Sequence, residues 1–180
     1  IYPAGQRILQ IAHNHPSYSP GGTEVFALWL HHEALRRGHD SWFLGAAEKL
    51  HVPPTLGTQM MALTPDHREA AIFTYVFKRF EFSQFDANGF LWEFQNYLAE
   101  IRPDIVHIHH LLNFGLETLF LIRQILPEAK IYITLHDYYA ICANNGQLYK
   151  HDVKQRCDGP SIGDCIKCFP DRSPNDFTMR

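Results

Sequence analysis

No stretch of this sequence approaches the roughly 20 consecutive apolar residues that cross a bilayer. The longest apolar patches, around Leu116–Leu126 and Ile131–Leu135, are broken by Glu117, Arg123 and Gln124 or are too short. No leader pattern of charged, apolar and small residues is visible before Arg7. Charge is scarce, at 19% of residues, and 16 Lys and Arg against 19 Asp and Glu leave a formal −3. That excludes a protein whose main business is gripping a polyanion, so nucleic acid is not an expected partner. No basic amphipathic stripe marks a membrane-surface helix. The GxGxxG spacing and the Walker lysine are missing, which disfavours a dinucleotide dehydrogenase or a P-loop NTPase, and no redox cofactor is expected. No G-x-S-x-G elbow exists to supply a Ser-His-Asp hydrolase with its nucleophile. Internal repeats are absent, and no cysteine occurs before position 142.

What the chain does have is apolar and aromatic. Hydrophobic residues make up 46%, with 13 Phe, 8 Tyr and 3 Trp, enough to exclude global disorder. The 180 residues suffice for one domain with a substantial core and are short for two. Twelve His are the compositional oddity: full protonation would carry the charge from −3 to about +9. The missing initial Met and the polar stretch before Arg180 suggest a piece cut from a longer chain.

Arg7–Ala12 (RILQIA) is a continuous apolar run that suits a strand buried on both faces of a parallel sheet. A loop rich in Pro, Ser and Gly follows, then Thr23 as N-cap and Glu24 as first-turn acid. Val25, Leu28, Trp29, His32 and Leu35 recur at spacings of three and four and predict the stripe of an amphipathic helix. Arg36, Arg37 and a left-handed Gly38 end it. Ser41–Leu44 is a second strand, Ala46–Thr58 a loop, Met60–Leu63 a short strand and Asp66–Phe82 a helix. Gly89–Ile101 reads as a helix burying Leu91, Phe94, Leu98 and Ile101, stopped by Pro103. Asp104–His109 is a strand, Leu116–Leu126 a helix and Lys130–Leu135 a strand. This alternation implies right-handed crossovers and an α/β fold, a Rossmann-like, doubly wound parallel sheet over residues 1–141. Residues 142–180 read as an irregular, Cys-rich appendage.

Ligands of an open parallel sheet bind at the carboxyl ends of its strands. The first loop leaving such an end contains Gly21, Gly22, Thr23 and Glu24. Two glycines before a helix let a backbone approach closely, and the helix N-terminus suits an anion such as a diphosphate. Equally, they could serve a turn through their φ freedom. The second loop begins at His109 and His110, which are candidate site residues, whereas His107 belongs to the core. The third carries His136 and Asp137. An imidazole there could donate to a sugar hydroxyl or to a developing charge on a leaving group. Asp137 either orients that imidazole or caps the following segment.

The cysteines fall as Cys142-x14-Cys157-x7-Cys165-x2-Cys168. The x2 pair is the spacing with which two thiolates hold one metal from a tight turn, and four complete a structural zinc shell. Two disulfides, free thiols or an iron–sulfur cluster are the rival readings. His151 and Asp152 are spare ligands only if one Cys drops out.

Together the strand RILQIA, the loop ending PGGTE, the helix closing on LRRGHD, and the segments RPDIVHIHH and KIYITLHDYY resemble the N-terminal half of family 4 glycosyltransferases of the GT-B architecture. Their order and spacing agree over roughly residues 7 to 140. The resemblance implies retaining transfer of a sugar from a nucleotide-sugar donor to a glycan, lipid-linked or small-molecule acceptor. It maps Gly21 and Gly22 onto the loop against the donor diphosphate or the acceptor, and His136 onto the residue near the reacting centre. Glu24 helps to shape that pocket. The family's second domain, with its paired glutamates and most donor contacts, falls outside these 180 residues, so the piece alone is expected to be inactive. A cytoplasmic location with peripheral contact at the inner membrane face fits the resemblance. The alternatives are a flavodoxin-like small-molecule or phosphate-binding domain, or a zinc-stabilised interaction module.

Overall fold

A computed structural model describes residues 2–48, 58–150 and 153–178. Strand β1 (Arg7–Ala12) is flanked in parallel by β2 (Asp40–Glu48), with Ile8 opposite Ser41, and by β7 (Ile105–Ile108), with Ile8 opposite Ile105. Every residue of β1 after Arg7 is buried, which is why the run needs no alternation. The sheet has the order β3-β4-β2-β1-β7-β8, with β4 spanning Glu69–Thr74, β3 (Met60–Ala62) antiparallel on one edge and β8 (Lys130–Ile133) parallel on the other. Strand order reverses at β1, so the topological switch point lies between β1 and β7. This is the expected α/β, mostly parallel Rossmann-like sheet.

The helix expected over Asp66–Phe82 does not form. Its place is taken by β4 (Glu69–Thr74), parallel to β2, and by an antiparallel ribbon of β5 (Phe77–Lys78) and β6 (Ser83–Gln84). A short apolar run such as EAAIFT has no period that separates strand from helix. Here Ala70–Thr74 are all buried, and His67 at φ 60° breaks any helical start. The loop expected over Ala46–Thr58 is shortened by β2, which reaches Glu48; its remainder lies almost wholly outside the described residues.

Helix α1 (Gly22–Arg36) begins one residue before the expected cap: Gly21 occupies the N-cap in extended conformation, without a side-chain cap bond. Its buried face is Glu24, Ala27, Leu30, His31 and Ala34. The stripe of Val25, Trp29 and His32 instead faces solvent, with Val25 54% and Trp29 56% exposed. Small residues let the helix sit close to the sheet, so the larger apolar residues were left outside. Burial pushes His31 down to about 4, ahead of the repulsion from neighbouring charges, and its ring stays neutral at pH 7. Gly38 takes φ 80° to close the helix, as expected.

A π-turn (Ala87–Leu91), capped by Asp86, leads into α2 (Trp92–Ile101), which buries Phe94, Leu98 and Ile101. Arg102 at φ 49° ends it before Pro103. Phe90, Phe94 and Phe114 meet edge to face or stacked at 5.3 to 6.5 Å, and each such ring contributes roughly 1.5–3 kcal/mol by burial. Helix α3 (Glu117–Ile125) precedes β8. His107 joins the core as expected: the Tyr2 hydroxyl lies 2.6 Å from its Nδ1, and its Nε2 meets Thr134 Oγ1 at 2.7 Å.

The chain divides into two compact units, Ile1–Lys78 with Phe82–Thr134, and Leu135–Arg180 with Arg79–Glu81. The second contains the ribbon β9 (Tyr149–Lys150) and β10 (Gln155–Arg156), α4 (Ile162–Cys168) and α5 (Pro174–Thr178). Within it, Phe80 packs edge-on against Phe169 and Phe177, both at 5.3 Å, and Ser161 caps α4.

Candidate functional site

The loop after β1 is pinned before it reaches the glycines. His15 N–H donates to Ala46 O at 2.8 Å, and a Cβ on Gly45 would meet His15 Cα at 2.5 Å. Gly45 therefore permits a close approach that alanine would prevent. Gly21 and Gly22 both lie outside the positive-φ region. Their φ freedom is thus not what the fold uses, and the turn explanation is set aside. A Cβ on Gly21 would meet Glu24 Oε2 at 2.5 Å, whereas one on Gly22 would meet nothing within 4 Å. Gly21 makes room for a carboxylate, and Gly22 leaves open the first turn of a 15-residue helix. Thr23 follows in that turn, half-buried.

Glu24 is buried, yet it is well partnered. Its Oε1 lies 2.8 Å from His13 Nε2 and accepts from Asn14 Nδ2 at 3.4 Å. Burial alone would raise its pKa. The His13 contact and the Asn14 bond outweigh that and hold the carboxyl below the usual range, so it is an anion at neutral pH.

The loop after β7 closes on the same place. His109 N–H extends the ladder to Ile11 O, while its ring is buried, touches Gln10 Oε1 at 2.9 Å and lies 4.2 Å from the His107 ring. His109 thus shares the buried polar network of His107. His110 is also buried; its ring lies 4.7 Å from that of His13, and its Nδ1 accepts from Leu112 N–H. Asn113, at φ 67°, donates to His13 O at 2.9 Å and to Asn14 Oδ1 at 3.2 Å. The carboxyl ends of β1 and β7 are therefore tied by one network of His13, Asn14, Glu24, His110 and Asn113. Sequence reasoning named Glu24 and His110 but missed His13, Asn14 and Asn113. The signal for Asn113 was its place two residues before Gly115, a turn pair with two positive φ values. His13 and Glu24 are paired across a loop, for which no local spacing exists. The buried Nδ1 of His13 has no hydrogen-bond partner among the described residues.

His136 belongs to the second unit and is exposed. Asp137 Oδ1 accepts from Tyr139 N–H at 2.8 Å, a local turn bond of the capping kind, and no helix follows. Cys142, Cys157, Cys165 and Cys168 all line one cavity of about 330 Å³ in the second unit, and no disulfide joins them among the described residues. No three of their sulfurs lie within 4.8 Å of one another; zinc bonds of about 2.3 Å need closer spacing. His151 and Asp152 lie outside the described residues. No helix among the described residues is long and apolar enough to cross a membrane.

No curated protein matches the chain as a relative. A family description matches residues 20–160, well over half of the sequence and including the Gly-Gly loop, the β7 loop and His136. On that match, the chain belongs to glycosyltransferase family 4.

Proposed function

We propose that this chain is the acceptor-side half of a retaining glycosyltransferase, which moves a sugar from a nucleotide-sugar donor to a glycan, lipid-linked or small-molecule acceptor. The observation that carries the reading is the open first turn of α1 at the switch point: Gly22 without neighbours, Gly21 fitted around Glu24. A backbone that leaves such space at a helix N-terminus suits close approach of a polar ligand. Glu24, ionised and oriented by His13 and Asn14, suits hydroxyl donors better than phosphate, because a fixed anion repels a second one. This favours the acceptor over the donor diphosphate at the Gly21–Gly22 loop. His136 is assigned the contact to the transferred sugar near the reacting carbon, with Asp137 shaping its turn. The family match favours this transferase over a flavodoxin-like domain or an interaction module.

The donor site is assigned mainly to a second domain, so residues 1–180 alone bind donor weakly and turn nothing over. In the second unit, the shared cavity supports a structural zinc at Cys142, Cys157, Cys165 and Cys168 once the sulfurs draw together. The reaction is tested by NMR of the product from full-length protein with a panel of nucleotide-sugars. A product whose new glycosidic bond keeps the donor's anomeric configuration is expected; an inverted anomer would overturn the retaining assignment.

A further inference from the structure

On the sheet side of α1, away from the crevice, three side chains converge for which the transferase reading has no use. One ring nitrogen each of His31 and His32, and a carboxylate oxygen of Glu69, lie within 4.8 Å of one another, the one such group among the described residues. His31 comes from the inner face of the helix and Glu69 from the start of β4. Position 31 lies seven residues after Glu24, about 10 Å along the helix axis, so the group is distinct from the Gly21–Gly22 loop.

The local chemistry is unusual for an ordinary ion pair. His31 is fully buried; its Nδ1 lies 3.0 Å from Ser41 Oγ, while its Nε2 has no hydrogen-bond partner among the described residues. When Nδ1–H donates to the serine, Nε2 carries a bare lone pair. That is the second-sphere arrangement by which proteins orient a metal-ligating imidazole. His32 Nε2 lies 2.8 Å from Glu69 Oε1. A second buried imidazole points the same way: His15 Nε2, also without a hydrogen-bond partner among the described residues, stands 3.8 Å from Glu69 Oε2. Two buried Nε2 atoms without a hydrogen-bond partner among the described residues, on His31 of this group and on His15 beside its carboxylate, are uncommon in a folded protein. The nearby Arg68 guanidinium, which would oppose a cation, is engaged by Asp40 at 2.7 Å.

We propose that His31, His32 and Glu69 bind one borderline divalent transition-metal ion, Zn2+ by the nitrogen and oxygen donor set, and that the ion braces α1 against β4. Ligands of a tetrahedral zinc lie about 3.3 Å apart, given bonds near 2.0–2.1 Å. The His32–Glu69 contact opens by about 0.5 Å to admit the ion, and His32, half-exposed on the helix surface, has the freedom to move. Three protein ligands leave one position for water, with the His15 imidazole beside Glu69. Carboxylate and imidazole donors select Zn2+, Co2+ or Ni2+ over Ca2+ or Mg2+.

Cobalt(II) distinguishes this site from the cysteines, because only thiolate ligands give sulfur-to-metal charge-transfer bands. Chelator-stripped intact protein is titrated with Co2+ and followed by visible absorption, alongside His32→Ala and Glu69→Gln. The wild type is expected to take up one ion whose ligand-field bands lack thiolate character. Each variant is expected to weaken that component at least about tenfold while retaining wild-type circular dichroism. Saturation with Zn2+ is expected to raise Tm by less in His32→Ala, whose exposed side chain the fold does not need, than in the wild type. Absence of a non-thiolate component in the wild type, or cobalt uptake unchanged in His32→Ala, overturns the proposal.

Discussion

The two units of the chain are built on opposite economies of burial. In the first, β1, β4 and β7 are buried on both faces, and α2 adds Phe94, Leu98 and Ile101. In the second, Phe80, Tyr139 and Gly146 are the buried positions among the described residues, and α4 buries none. The second unit is also far below the ~70–80 residues at which a single core suffices. Small units of that kind rely on a cross-link or a metal. Four half-buried cysteines gather around one cavity there, where the proposed zinc would supply what the small core does not. The contrast also places the proposed chemistry: a rigid sheet positions Glu24 and His13, while His136 sits on the less consolidated part.

That contrast can be broken by single substitutions. The largest expected effect is on catalysis. His136→Ala in full-length protein should lower turnover about 100-fold or more, the usual range for an acid–base group, without changing Tm. Wild-type turnover would remove His136 from the reaction. Next, Phe94→Ala should destabilise the first unit by about 3–5 kcal/mol through cavity formation; a loss below 1 kcal/mol in denaturant unfolding would contradict a tightly packed core. On the proposed cysteine zinc, Cys165→Ser should lower zinc uptake and loosen the second unit, read as faster amide exchange over 157–169, with exchange in β1 and β7 unchanged. Equal loosening of both units would erase the distinction.

The smallest effect concerns acid stability. Glu24 has a folded-state pKa below its ordinary value, so the folded protein holds its proton less tightly than the unfolded chain. Its contribution is complete above the ordinary carboxylate range and is lost as pH falls through the lowered value. Glu24→Gln should therefore flatten the loss of stability below about pH 4.5, measured by urea unfolding at stepped pH. A slope identical to wild type would show that Glu24 carries no such coupling.

Much of this architecture was legible in the chain, for reasons that differ from element to element. RILQIA and DIVHIH announced themselves because a strand buried on both faces must be continuously apolar. Helix α2 was legible because Phe94, Leu98 and Ile101 keep one helical face. Strand β4 was hidden because EAAIFT carries no period. The buried face of α1 was hidden for a subtler reason: Ala27 and Ala34 allow close packing, and Glu24 and His31 find buried partners, so hydropathy pointed to the solvent side. At the site, the position of Gly21 and Gly22 and their two uses, space or φ freedom, were readable, but only the backbone angles decide against the second. The pairing of His13 with Glu24 and the link from Asn113 depend on where two loops meet, which no local spacing encodes.

The central claim is that the open first turn of α1 receives a ligand, and one paired measurement addresses it directly. Gly22→Val in the full-length protein places its Cβ where nothing lies within 4 Å and where φ is not positive, so the fold should accept it. Turnover and Tm are measured on the same preparation. The account predicts turnover reduced at least about tenfold, as expected when a misplaced group blocks a positioned ligand, with Tm within about 1 °C of wild type. Undiminished turnover at unchanged Tm would contradict it.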